Sequence, residues 1–124
     1  MSKKGDQTGA LGHCTEAVRL IPADPGAVLS LAGLLEERGR KGESIEHYSD
    51  ALSLPGIPRD EKKKAYKSLS RLLVGTKRYP MAKETIKRGL DEFPDSGGLF
   101  YQWGVMLLAV GDKEGALEKL RRAA

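Results

Sequence analysis

Small residues recur in pairs along this sequence, and the two members of each pair stand seven positions apart. Four such pairs fall in segments rich in Glu, Lys and Leu, at Ala10/Ala17, Ser44/Ala51, Ala82/Gly89 and Ala116/Ala123. Residues seven apart share one face of an α-helix. Successive pairs begin 34, 38 and 34 residues apart, which indicates a repeated helical unit with one four-residue insertion.

A second helical segment precedes each of the last three pairs and also has a small residue at its centre. These segments are LSLAGLL, KSLSRLL and YQWGVMLL, centred on Ala32, Ser70 and Gly104. The prolines stand near the ends of the segments, and a proline inside a helix costs about 3 kcal/mol. Each period therefore contains two helices. We assign the insertion to Pro55-Gly56-Ile57-Pro58, because two prolines and a glycine exclude a helix there.

Large apolar residues stand between the small ones, as expected where two helices cross closely and larger side chains fill the grooves. The core predicted in this way consists of Val28, Leu31, Leu35, Ile45, Tyr48, Leu52, Tyr66, Leu69, Leu73, Ile86, Leu90, Phe93, Phe100, Trp103, Leu107, Leu117 and Leu120. One helix pair cannot bury its own apolar face, so the repeats are expected to stack on one another.

These positions resemble the tetratricopeptide repeat family. The residues that carry the resemblance are the large-small pairs Leu31-Ala32, Leu69-Ser70 and Trp103-Gly104, and the turn glycine, aromatic, alanine and closing proline at Gly39, Tyr48, Ala51 and Pro94. The departures are Ser44 and Gly89 for alanine, Lys77 for the turn glycine and Leu120 for the aromatic. The resemblance implies an all-α, right-handed solenoid of antiparallel helix pairs, about seven helices in all, which binds other proteins and catalyses nothing.

We interpret residues 1–124 as a single repeat domain. Complete repeats are expected at about 25–58, 63–96 and 97–124, and the second helix of an earlier repeat at about 5–22. That first helix lacks its partner, and no polar capping helix follows Leu117 and Leu120. Two interpretations stay open: the chain is a fragment of a longer array, or another copy of the chain covers the apolar ends as a homo-oligomer.

Charge is distributed unevenly. The formal net charge is +4, yet residues 59–89 contain eleven Lys and Arg against Asp60, Glu61 and Glu84, which leaves +8 on that quarter of the chain. A strongly basic region of this kind favours acidic partners. Cys14 is the only cysteine, so no internal disulfide forms, and neither an export signal nor a long apolar segment is present. We therefore expect a cytoplasmic protein without a membrane partner.

Residues with catalytic or metal-binding chemistry do not converge in the sequence. His13 and Cys14 are neighbours, which point about 100° apart on a helix and do not form a nucleophile-base pair. His13 and His47 stand one period apart, and no further ligand accompanies them. The glycines do not form a phosphate-binding loop. We predict no catalytic site, no metal site and no cofactor.

The resemblance implies that the first helix of each repeat lines a concave groove that receives a peptide. The groove residues assigned on this basis are Leu29, Ser30 and Gly33, then Lys64, Lys67, Ser68 and Arg71, then Tyr101, Gln102, Val105 and Leu108. The lysines and the arginine, at i, i+3 and i+7, form a basic stripe for an acidic segment, and the last repeat adds an apolar shelf. The alternative is that the charged run is simply a solvated face.

Two classes of function follow. The first is a scaffold or adaptor that holds an acidic or amphipathic segment of a partner protein in the groove. A clamp for chaperone tails is not expected, because Leu29 and Gly33 replace its polar half and the chain has no asparagine. The second class is nucleic-acid binding by the basic repeat, through Lys62, Lys63, Lys64, Lys67, Lys83, Lys87 and Arg88. It is disfavoured because Tyr66, Phe100 and Trp103, which could stack on bases, are assigned to the core.

Overall fold

The structure is a computed structural model that describes residues 24–123, together with Gly12 and Thr15, which are both helical. Within residues 24–123 the chain forms six helices: α1 Pro25–Glu37, α2 Lys41–Ser53, α3 Arg59–Gly75, α4 Tyr79–Glu92, α5 Gly97–Ala109 and α6 Lys113–Ala123. The fold class is therefore all-α, built of helix pairs, as predicted. The seventh helix, predicted at about 5–22, lies outside the described residues apart from Gly12 and Thr15.

The chain divides into two compact units between Ala65 and Tyr66, within α3. In the first unit α1 packs against α2, and Ala32 of α1 and Ser44 of α2 are both fully buried. The Ser44 hydroxyl donates a hydrogen bond of 2.7 Å to the carbonyl oxygen of Ala32. Tyr48 is also buried, and its hydroxyl lies 3.3 Å from Oε1 of Glu36. The predicted small residues therefore mark the helix crossing.

The second unit repeats this construction with glycines at the helix contacts. A Cβ at Gly104 of α5 would lie 2.6 Å from Cγ of Leu120 on α6. A Cβ at Gly89 of α4 would lie 2.7 Å from Cδ1 of Leu99 on α5. Both distances are shorter than real carbon atoms adopt, so a larger residue at either position would force the facing leucine side chain to shift. The Tyr66 and Phe93 rings complete this core edge-to-face, 6.3 Å apart.

The four-residue insertion is not where the sequence analysis put it. Residues 54–58 are non-helical as expected, but α3 is 17 residues long whereas α1 and α5 are each 13. The extra residues therefore form an additional turn at the start of α3, four residues before the repeat predicted at 63. The Pro58 carbonyl accepts a 2.8 Å hydrogen bond from the Lys62 amide, and Asp60 and Glu61 complement the positive end of the helix.

The core prediction is largely correct in the first repeats and weaker in the last. Leu117, which was assigned to the core, is 54% exposed, and Phe100, Trp103, Leu107 and Leu120 are only half-buried. The organisation of residues 1–124 as one domain stays a prediction.

The three turns within the helix pairs have the same backbone geometry. Gly39, Lys77 and Gly111 all have positive φ, at 78°, 62° and 91°. In each turn the next residue donates to the carbonyl five positions earlier, as Arg78 does to Leu73 at 2.8 Å. This is the Schellman arrangement, in which a left-handed residue ends the helix. Lys77 takes the position of a turn glycine, and its Cβ makes that conformation unfavourable.

Replacing Lys77 with glycine is therefore expected to raise the free energy of unfolding by about 0.5–1 kcal/mol, because glycine relieves the left-handed strain. Chemical denaturation monitored by circular dichroism measures the change. The matched control is Gly111→Lys, which places the same strain in the equivalent turn and should lower stability by a similar amount. Equal stability of the Lys77→Gly variant and the wild type would contradict the prediction.

Two buried serines allow a second comparison. Among residues 24–123, the Ser70 hydroxyl is fully buried without a hydrogen-bond partner, whereas the Ser44 hydroxyl is bonded to Ala32. A buried unsatisfied hydroxyl costs about 1–3 kcal/mol. We expect Ser70→Ala to leave stability unchanged or raise it, and Ser44→Ala to lower it by about 1 kcal/mol. Equal losses in thermal unfolding of the two variants would show that the Ser70 hydroxyl is satisfied.

Candidate peptide-binding surface

The residues assigned to the groove from the sequence lie on three helices. Leu29, Ser30 and Gly33 are on α1, and Lys64 is exposed on the part of α3 that belongs to the first unit. The other seven lie in the second unit: Lys67, Ser68 and Arg71 on α3, and Tyr101, Gln102, Val105 and Leu108 on α5. The geometry that bears on a binding surface is that of the second unit.

Lys67 joins the two helices of this surface. Its side chain is half-buried, and a Cβ at Gly98 would overlap the Cδ of Lys67. The aliphatic stem of the lysine therefore lies directly on the backbone of the first turn of α5. Gly98 shares a helix face with Tyr101 and Gln102, three and four residues later. Lys67 consequently stands at the start of the α5 face that carries the predicted apolar shelf.

The shelf itself is only partly covered. Tyr101 and Leu108 are 52% and 51% exposed, and Val105 between them is half-buried. Their spacing of i, i+4 and i+7 places all three on one face. Leu99 and Met106 are buried on the opposite side of α5. A helix with apolar side chains around its whole circumference is usual inside a protein, so its exposed face is a candidate contact surface.

The polar residues of this surface differ in accessibility. Arg71 is exposed and lies one turn after Lys67 on α3, whereas Ser68 and Gln102 are half-buried. Lys67 and Arg71 thus present two positive charges beside an apolar face. We call the surface formed by Lys67, Ser68, Arg71, Tyr101, Gln102, Val105 and Leu108 the α3–α5 surface.

A second concave site, which the sequence analysis did not identify, lies against the other side of α5. Helices α4 and α6 flank it, and its volume is about 570 Å³. Its apolar walls are Tyr79, Pro80, Trp103, Met106, Leu107 and Val110. Lys83 and Lys119 line it together with Asp112 and Gly115. We call this site the α4–α6 groove.

One interaction orders the wall of this groove. The Lys119 ammonium lies 4.1 Å from the centroid of the Trp103 ring, within the range of a cation–π contact. The sequence analysis placed Trp103 in the core and did not single out Lys119. The available signal was Trp103 itself, because the equivalent residues of the other repeats, Leu31 and Leu69, are smaller and fully aliphatic.

A smaller cavity of about 280 Å³ is lined by Pro94, Asp95, Phe100 and Arg122. The Arg122 guanidinium lies 5.5 Å from the centroid of the Phe100 ring. Cations thus cover one face of both Phe100 and Trp103, and Tyr66 is buried. These three aromatic rings are poorly placed to stack on bases, which argues against the nucleic-acid alternative.

The part of the chain that the structure describes contains no group of three His, Cys, Asp or Glu side chains able to hold a metal ion. His13 and Cys14 lie outside the described residues. None of the six helices combines the length and apolar character needed to cross a membrane.

Comparisons with known proteins identify the fold. No family model matches the sequence. A crystal structure of MamA superposes with a TM-score of 0.84 at 18% identity, covering 98% of this chain and 68% of MamA. MamA from Desulfovibrio magneticus RS-1 superposes with a TM-score of 0.79 at 19% identity, covering 98% of this chain and 66% of that one. YrrB is described as a TPR protein with an unusual peptide-binding site. It superposes with a TM-score of 0.69 at 25% identity, covering 89% of this chain and 55% of YrrB.

Proposed function

We propose that this chain, whose fold is that of tetratricopeptide repeats, is a protein-interaction scaffold that holds an acidic or amphipathic segment of a partner on the α3–α5 surface. The observation that carries the proposal is the contact between Lys67 and Gly98, because it places a lysine of α3 beside the α5 face that carries the apolar shelf. A segment with a carboxylate beside an apolar side chain matches both features.

Each half of the surface contributes in a different way. Burying the exposed parts of Tyr101 and Leu108 under a partner removes apolar area from water, at about 25 cal/mol per Å². Lys67 and Arg71 supply charge-assisted hydrogen bonds to carboxylates, which select the partner and orient it. The Lys67 stem is already held against α5, so binding its ammonium costs less side-chain entropy than binding a free lysine.

The small size of the surface sets the expected affinity. A segment lying across parts of two helices buries less area than a standard protein interface, and micromolar binding is typical of such contacts. YrrB, which shares the fold, is described as having a peptide-binding site, and this supports a peptide as the class of ligand. No catalytic role is proposed, because the surface pairs no acid or base with a nucleophile.

Charge reversal on this surface is the test. Short peptides are first selected from a random display library on the wild-type chain, and their affinities are measured by fluorescence anisotropy. We expect the selected peptides to contain Asp or Glu beside an apolar residue. The Lys67→Glu/Arg71→Glu variant should weaken their binding about tenfold or more, because attraction becomes repulsion. Tyr101→Ala/Leu108→Ala should weaken it independently of salt concentration.

The matched control is Lys87→Glu/Arg88→Glu, which makes the same change of net charge at two exposed positions of α4. This variant should retain the affinity of the wild type within about twofold, since both residues belong to α4, which contributes no residue to the α3–α5 surface. Equal weakening by both charge reversals would indicate long-range electrostatics and contradict the proposed site. Tight, steeply salt-dependent binding of an oligonucleotide would favour the nucleic-acid alternative instead.

A further inference from the structure

Two of the residues that line the α4–α6 groove are not ones that the fold requires. Repeat equivalence pairs Trp103 with Leu69 and Leu31, and it pairs Lys119 with Thr85 and His47. Leu31 and Leu69 are buried, whereas Trp103 is only half-buried. The same helix crossing is therefore built twice without a tryptophan or a lysine.

The apolar part of the groove is large for a small unit. Tyr79 and Pro80 at the start of α4 face Met106, Leu107 and Val110 at the end of α5 across about 570 Å³. Val110 is 56% exposed, and it follows α5 directly in the turn to α6. This volume lies within the range of sites that hold small ligands or anchoring side chains. An apolar side chain entering here would meet an existing apolar wall.

The charged part of the groove favours an anion. Lys83 and Lys119 line it, and the side chain of Lys119 is only 17% exposed. The Lys119 ammonium forms an ion pair with Glu118 Oε1 at 3.8 Å, but this distance is too long for a hydrogen bond, and the Glu118 side chain is 64% exposed, so water screens the pair. Asp112 also lines the groove, but its Oδ1 accepts a 2.9 Å hydrogen bond from the Gly115 amide at the start of α6. Its negative charge is therefore complemented by the positive end of that helix.

Contact with Trp103 holds the Lys119 ammonium at the groove wall. A cation fixed over an aromatic ring loses less freedom when a carboxylate approaches than one on a mobile side chain. The groove thus combines an apolar pocket with an oriented ammonium beside it.

We propose that the α4–α6 groove is a second binding site, which takes a segment of a protein partner with a large apolar side chain next to a carboxylate. The apolar side chain lies against Trp103, Leu107 and Tyr79, and the carboxylate is bound by Lys119 and Lys83. The site uses the side of α5 opposite to Tyr101 and Leu108, so the unit can hold two segments at once.

The experiment selects for this site alone. A random short-peptide display library is selected on the Lys67→Glu/Arg71→Glu variant, in which the α3–α5 surface repels acidic peptides. Trp103 is the only tryptophan of the chain, so its fluorescence reports occupation of the groove directly. Selected peptides should carry an apolar residue beside Asp or Glu and shift the emission of Trp103 to shorter wavelength, because the apolar side chain displaces water from the ring.

Lys119→Gln and Lys83→Gln should each weaken binding of these peptides several-fold, and together by about tenfold or more. Arg121→Gln is the control, since it removes one charge from the same helix at an exposed position two residues away, on a different face. Circular dichroism verifies that each variant is folded. Lys83 is exposed, so Lys83→Gln keeps the test valid if Lys119→Gln unfolds the chain.

Three results would overturn the inference: no peptide enriched above an unrelated carrier, peptides that bind without changing Trp103 emission, or equal weakening by Arg121→Gln. A Trp103 response to an oligonucleotide and not to any peptide would also reject it. Because the selection uses the Lys67→Glu/Arg71→Glu variant, the groove is tested separately from the α3–α5 surface. A negative result for one site therefore does not contradict the proposal for the other.

Discussion

The close approach of paired helices at small residues is the constraint on which the rest of this structure depends. At Ala32 and Ser44 the contact is tight enough for the serine hydroxyl to bond the facing helix at 2.7 Å. At Gly104 even a methyl group would collide with Leu120. Because small residues at these positions let the backbones approach closely, the larger side chains around them fill the spaces between the helices. The surfaces of the protein follow from this arrangement.

Helix α5 shows the consequence most clearly. Its sequence is apolar on all sides, with Gln102 the only strongly polar side chain between Gly97 and Ala109. The α5–α6 crossing at Gly104 and the α4–α5 contact at Leu99 use two of its faces. Tyr101 and Leu108 are left exposed on one side, and Trp103 and Leu107 line a groove on another. Helix α5 is therefore more apolar than its packing within the unit requires.

Two lysine side chains place a positive charge beside these apolar surfaces. The aliphatic stem of Lys67 lies on the backbone at Gly98, whereas Lys119 places its ammonium directly over the Trp103 ring. The net charge of +8 between residues 59 and 89 is therefore not uniform in its effect. Most of the basic side chains in this stretch are exposed, whereas the stem of Lys67 is packed against α5, which defines its position.

The period of small residues determined the helix pairs, because only small side chains permit helices to cross this closely and their spacing is readable without coordinates. The resemblance to tetratricopeptide repeats assigned Tyr101, Val105 and Leu108 to the groove, and their spacing alone places them on one helix face, since a helix has a fixed angle per residue. Tertiary structure alone decided what depends on neighbours far apart in sequence. The extra residues lengthened α3 rather than the preceding loop, and Leu117 remained exposed. The contacts of Lys67 with Gly98 and of Lys119 with Trp103 also depend on the tertiary structure, because packing between helices brings these residues together.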